Sequence, residues 1–121
     1  MSKIKGHQGD VQFRQIDVLP EGAKKIDQKP LALGEHSGHM HVLTGDVELF
    51  EHKGTIYASV GTDGARLQHV HESNFKLKDY GSTRELQRAD HHSHLLPAGI
   101  YEFWIQNTYN PYTKLMEKVE D

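Results

Sequence analysis

Three histidine pairs with a single residue between their members, His39-Met40-His41, His69-Val70-His71 and His92-Ser93-His94, are the residues best suited to chemistry in this chain. Each pair lies in or beside a segment whose apolar and polar residues alternate. In a β-strand residues i and i+2 point to one face, so every pair presents two imidazoles side by side. Imidazole is the commonest protein ligand for zinc, copper, nickel and non-heme iron, and rings converging from neighbouring strands make a coordination site. There is no cysteine, which excludes disulfides and thiolate ligation and leaves nitrogen and oxygen donors. The expected cofactor is a divalent transition metal (Zn, Fe, Ni or Mn) held by ligands drawn from His39, His41, His69, His71, His91, His92 and His94.

The phase of each strand decides where the rings point. His69 and His71 are in register with Ala65 and Leu67, with Arg66 and Gln68 on the opposite face, so this pair faces the interior. His39 and His41 share parity with Leu43, although Met40 and Val42 make the other face apolar too; His92 and His94 share parity with Leu96. For any single histidine, a solvated sheet position or a core ring satisfied by one hydrogen bond is the simpler account. Several imidazoles in one small core are costly to bury without partners, and a metal supplies one; a proton-linked histidine cluster is the alternative. His36 is a further candidate ligand. Glu35, Glu72, Asp90 and Glu102 are candidate acids, bases or orienting carboxylates, and His7 and His52 read as loop residues.

At 121 residues the chain suffices for one domain with one core. Its 14 basic and 17 acidic residues are interspersed, giving a net charge of −3 and no basic face, which argues against nucleic acid as a direct partner. Protonating half of the 10 histidines would reverse that sign near pH 6. No apolar run approaches the roughly 18 residues of a membrane span or follows the N-terminus as a signal would, so a cytoplasmic protein is expected.

Turn signals recur at Pro20-Glu21-Gly22, Thr44-Gly45-Asp46, His52-Lys53-Gly54, Thr62-Asp63-Gly64 and Pro97-Ala98-Gly99. Such punctuation predicts an all-β sandwich or barrel, with strands at about 10–19, 31–35, 39–44, 46–52, 55–60, 65–72, 84–89 and 100–107. The clearest hairpin runs from Asp46 to Val60, and Tyr112 to Asp121 reads as a short C-terminal helix or strand.

The stretch Gly34-Glu35-His36-Ser37-Gly38-His39-Met40-His41, with Pro97-Ala98-Gly99-Ile100-Tyr101-Glu102-Phe103 downstream, resembles the cupin pattern. The resemblance implies a single-domain jelly-roll β-barrel binding a metal inside, with His39 and His41 carried over as ligands. This chain departs from the pattern in having one residue too few between Gly34 and His39, a late glutamate at Glu48, and Glu102 where the second motif places its histidine. That last ligand must then come from His91, His92 or His94. The chain is also similar to short uncharacterised histidine-containing proteins of bacteria and their phages that share Gln8-Gly9-Asp10-Val11, the segment from Gly34 to His41, the turn from Leu96 to Tyr101 and the stretch from Gln106 to Pro111.

Three functions remain open at this level. A histidine-ligated metal could activate dioxygen or water toward a small-molecule substrate. The same histidines could stiffen a homo-oligomeric structural protein, such as a decorating or adaptor component of a phage virion; Tyr101-Glu102-Phe103-Trp104-Ile105, apolar on both faces, is the motive. A metal sensor is the third.

Overall fold

A computed structural model describes residues 3–33 and 38–105. Its strands are β1 (Lys5–Gln8), β2 (Val11–Ile16), β3 (Lys24–Ile26), β4 (Ala32–Leu33), β5 (His39–His52), β6 (Thr55–His71), β7 (His94–Leu96) and β8 (Gly99–Ile105), with two short 3-10 turns between β6 and β7. All ladders are antiparallel. They join the strands into one sheet of order β1-β2-β8-β6-β5-β3, with β4 added to β5 and β7 to β6. The chain is thus an all-β domain, and among the described residues no ladder joins β1 to β3, so the sheet is open.

The expected hairpin is the spine of the sheet, but longer than the turn signals suggest. β5 and β6 pair from His52↔Thr55 to His39↔His71. Lys53 and Gly54, both with positive φ (51° and 81°), make the two-residue turn whose twist matches the strands. The segments at Thr44-Gly45-Asp46 and Thr62-Asp63-Gly64, expected as turns, lie within the strands. The register jumps there from Gly45↔Ala65 to Val47↔Val60, and the Asp46 carboxylate caps the resulting bulge by accepting the Asp63 N–H at 3.2 Å. A bulge bends its strand, so one hairpin serves two regions of the molecule.

The alternation read from the sequence decides the packing. Leu43, Val47, Leu49, Ala58, Val60, Ala65 and Leu67 bury one face of the hairpin against Val11, Phe13, Leu96, Tyr101 and Phe103. Each large side chain buried in this way contributes about 1.5–3 kcal/mol. On the other face Met40, Val42 and Val70 form a second cluster with Phe75, Tyr80 and Leu86.

The strand expected at 84–89 is absent. This segment follows β6 without a ladder and is held by side chains instead. Gln68, 1% exposed, accepts the Leu86 N–H at 2.7 Å and donates to Thr44 Oγ1 at 2.8 Å and to the Arg84 carbonyl at 3.3 Å. The Ala89 N–H then donates to the His69 carbonyl at 2.7 Å. The helix or strand expected at 112–121 lies outside the described residues, as do Glu35 and His36.

Candidate metal centre

Strand pairing assembles the histidines. His39 stands opposite His71 and His41 opposite His69 in the β5–β6 ladder. Ring centres are 4.6 Å apart for His39 and His71, 5.2 Å for His39 and His69, and 4.5 Å for His41 and His69. His91 arrives by a different route. Its segment is tied to β6 through the Ala89–His69 bond, and its ring lies 4.8 Å from that of His69 and 6.0 Å from that of His41. Five imidazoles from two strands and a loop thus share one region. His41 and His69 are buried (3% and 2% exposed) and the other rings lie at its margin.

The two remaining histidines of the expected set lie elsewhere. The exposed His92 ring meets the Arg88 guanidinium, whose positive charge disfavours a cation there. His94 packs edge-on against Phe13, with ring centres 5.5 Å apart. Parity with Leu96 holds for His94, which is half-buried on the core side, but not for His92, because β7 begins only at His94. Glu48 is exposed and ion-paired with Lys25 at the far side of the bulge, Glu102 pairs with Arg14, and Glu72 is exposed. Asp90 is the carboxylate whose field reaches His69.

Three site residues carried no histidine signal. Gln8, at the end of β1, places its Oε1 2.8 Å from His41 Nδ1. Gly9 and Asp10 form the two-residue turn to β2. Gly9 has φ +58°, and a Cβ on it would lie 2.8 Å from His91 Nε2 and 3.4 Å from His41 Cε1, so the missing side chain is the space those rings use. Asp10 lines a cleft of about 500 Å³ together with Val11, Ala32, Leu33, His41, His91 and Ile105. The stretch Gln8-Gly9-Asp10-Val11 was legible as a shared motif, but nothing in its composition connected it to the histidines.

Hydrogen bonds set the proton positions on the two buried rings. The Gln8 amide nitrogen donates to the carbonyls of Leu67 (3.0 Å) and His92 (2.8 Å), which fixes the amide's orientation. Its oxygen can only accept, so His41 carries its proton on Nδ1 and keeps the lone pair on Nε2. His69 is the opposite case: Nδ1 accepts the His91 backbone N–H at 3.2 Å, which places the proton of the neutral ring on Nε2. That Nε2 is buried with no hydrogen-bond partner among the described residues.

A family described as a domain of unknown function, DUF8820, matches residues 7–106. The chain belongs to this family. The matched span contains Gln8 and all five clustered histidines of this DUF8820 domain. No curated protein and no solved structure matches the chain.

Electrostatics keep the buried rings of the DUF8820 domain neutral. Burial lowers the His41 pKa from 6.5 to about 4, with the neighbouring His69 and His91 adding to the effect. Burial likewise lowers His69 to about 4; His91, His39 and His71 push the same way while Asp90 opposes them. Neutral imidazole is the form that ligates metals. As the side chains stand, no three His, Asp or Glu residues among the described ones are arranged to hold an ion, so binding requires ring rotations and a proton shift on His69.

Proposed function

We propose that this DUF8820 domain binds one divalent transition ion, zinc, iron, nickel or manganese, through ligands supplied by His39, His41, His69, His71 and His91. The observation that carries the reading is the gathering of four imidazoles around that of the buried His69, whose Nε2 has no partner among the described residues in a site where an unsatisfied polar atom costs about 1–3 kcal/mol. The donor set fits the group: it is all nitrogen, burial keeps His41 and His69 neutral at physiological pH, and His41 has its second nitrogen anchored from outside, as metal-ligating histidines generally do. The resemblance to cupins at His39 and His41 points the same way.

When bound, the ion supplies a Lewis acid beside a cleft of a size that accepts a small molecule. His41 and His91 form the polar part of that cleft, Val11, Ala32, Leu33 and Ile105 its apolar wall, and Asp10 offers a carboxylate. A small-molecule substrate acted on at the metal is the enzymatic form of the proposal.

Elemental analysis of untagged protein, followed by Co(II) titration monitored by absorption, tests it. One equivalent of metal is expected in the parent protein and none in a His41→Ala, His69→Ala double variant. A folded parent that takes up no stoichiometric metal would refute the reading.

A structural role in a homo-oligomer, such as a phage particle component, is the second reading. It is favoured by the exposure of Leu33 (74%), Trp104 (39%) and Ile105 (49%). Light scattering decides it: a monomer at micromolar concentration, with and without metal, removes this alternative.

A further inference from the structure

Gln8 is 1% exposed, and burying a primary amide so fully is costly unless its polar atoms are partnered. They are partnered from three directions. Leu67, whose carbonyl takes one donor, belongs to the central strand β6, and His92, whose carbonyl takes the other, belongs to the segment that delivers His91. A flipped amide would set its oxygen against both carbonyl oxygens, so the orientation that aims Oε1 at His41 Nδ1 is the one the surroundings permit. The amide thereby ties β1, β6 and the His91 segment to one ring.

We infer that Gln8 is a positioning residue for the proposed metal centre: it holds His41 as the Nδ1–H tautomer and so reserves Nε2 as the ring's lone-pair donor to the ion. A free imidazole divides its proton between the two nitrogens and must select the ligating tautomer at a cost; the amide makes that selection in advance and fixes the ring plane as well. The contrast with His69 shows what the lock achieves. His69 carries the opposite tautomer, enforced by a backbone N–H, and has to exchange that bond before Nε2 can ligate.

This inference rests on the metal-binding reading, and the test separates the two. Long-range 1H–15N spectra of the metal-free protein report each tautomer directly; the expected result is a proton on Nδ1 of His41. An Nε2–H tautomer or an even mixture at His41 overturns the inference even in a protein that binds metal well. A locked tautomer in a protein that takes up no Co(II) overturns the metal reading, and the positioning role with it.

Two variants then distinguish positioning from mere support. Gln8→Met removes the acceptor and both donors, whereas Gln8→Glu, in its acid form, keeps an acceptor for His41 and one O–H donor for the Leu67 and His92 carbonyls. Co(II) affinity should fall about 10–100-fold in Gln8→Met, with a mixed His41 tautomer. Gln8→Glu should restore the Nδ1–H tautomer and most of the affinity. Equal losses in both variants would mean that the carbonyl bonds alone matter and would overturn the inference. If Gln8→Met does not fold, the parent spectrum and Gln8→Glu still decide the question.

Discussion

The imidazole of His41 lies 4.5 Å, centre to centre, from that of His69 across the β5–β6 ladder, and hydrogen bonds give the two rings opposite tautomers. Two neutral rings at this distance resist protonation, because a charge on either is poorly solvated and opposed by its histidine neighbours. Their pKa values near 4, against 6.5 in an open chain, state the same fact.

Stability of the metal-free protein should therefore fall as the pH drops from about 6.5 to about 4. In that window the unfolded chain binds protons that the folded state excludes, so the free energy of unfolding rises with pH, by up to ~1.4 kcal/mol per pH unit for each group. Asp90 moderates the effect at His69. Urea midpoints at pH 7, 6 and 5 check the sign, and His41→Gln, which cannot titrate, should show a shallower slope.

Adding Zn(II) should raise the thermal midpoint, and a chelator should reverse the change. At a free concentration 100 times the dissociation constant, linkage gives about 2.7 kcal/mol, which in a domain of this size is on the order of 10 °C. His41→Ala should abolish the shift. His92→Ala should leave it intact, since His92 lies outside the ring cluster against Arg88. Differential scanning calorimetry with each protein distinguishes these outcomes.

Gly9→Ala is expected to harm the site more than its size suggests. The backbone there has φ +58°, which costs a side-chain-bearing residue about 1–2 kcal/mol, and the new methyl would press on His91 Nε2. Weaker metal uptake together with a shift of the His91 ring resonances is the expected result; unchanged His91 resonances would contradict it.

Gln68→Leu should destabilise the fold by about 2–3 kcal/mol, because it leaves the Leu86 N–H, Thr44 Oγ1 and the Arg84 carbonyl without their partner. Amide exchange should rise through 84–91 before it rises in β6, since the side chain of Gln68, and not a ladder, holds that segment. Uniform acceleration across the sheet would show that the segment and the hairpin open as one unit.

Period-two alternation made the inward faces of His39, His41, His69 and His71 legible from sequence, because one side of each strand had to be apolar. The same rule failed at His92, where the chain is still a loop, while His94, in β7 with Leu96, does face inward but against Phe13 and away from the other rings. His91 enters the cluster through tertiary hydrogen bonds that leave no periodic trace. β1 and β3 escaped notice for a related reason: Lys5-Gly6-His7-Gln8 and Lys24-Lys25-Ile26 lie at the ends of the sheet, where pairing needs no apolar pattern. The bulge between Gly45 and Val47 reads locally as turns because its residues are turn formers, and only the flanking pairs show that the strands continue.

The face-to-face pairing His39↔His71 and His41↔His69 also guards the alignment of the long hairpin. A slip of one position would swing one strand's imidazoles to the opposite surface and expose Leu43 or Leu67 along with them. An ion bridging the two strands would thus fasten them in their native phase, and the folding yield of this chain would depend on metal supply.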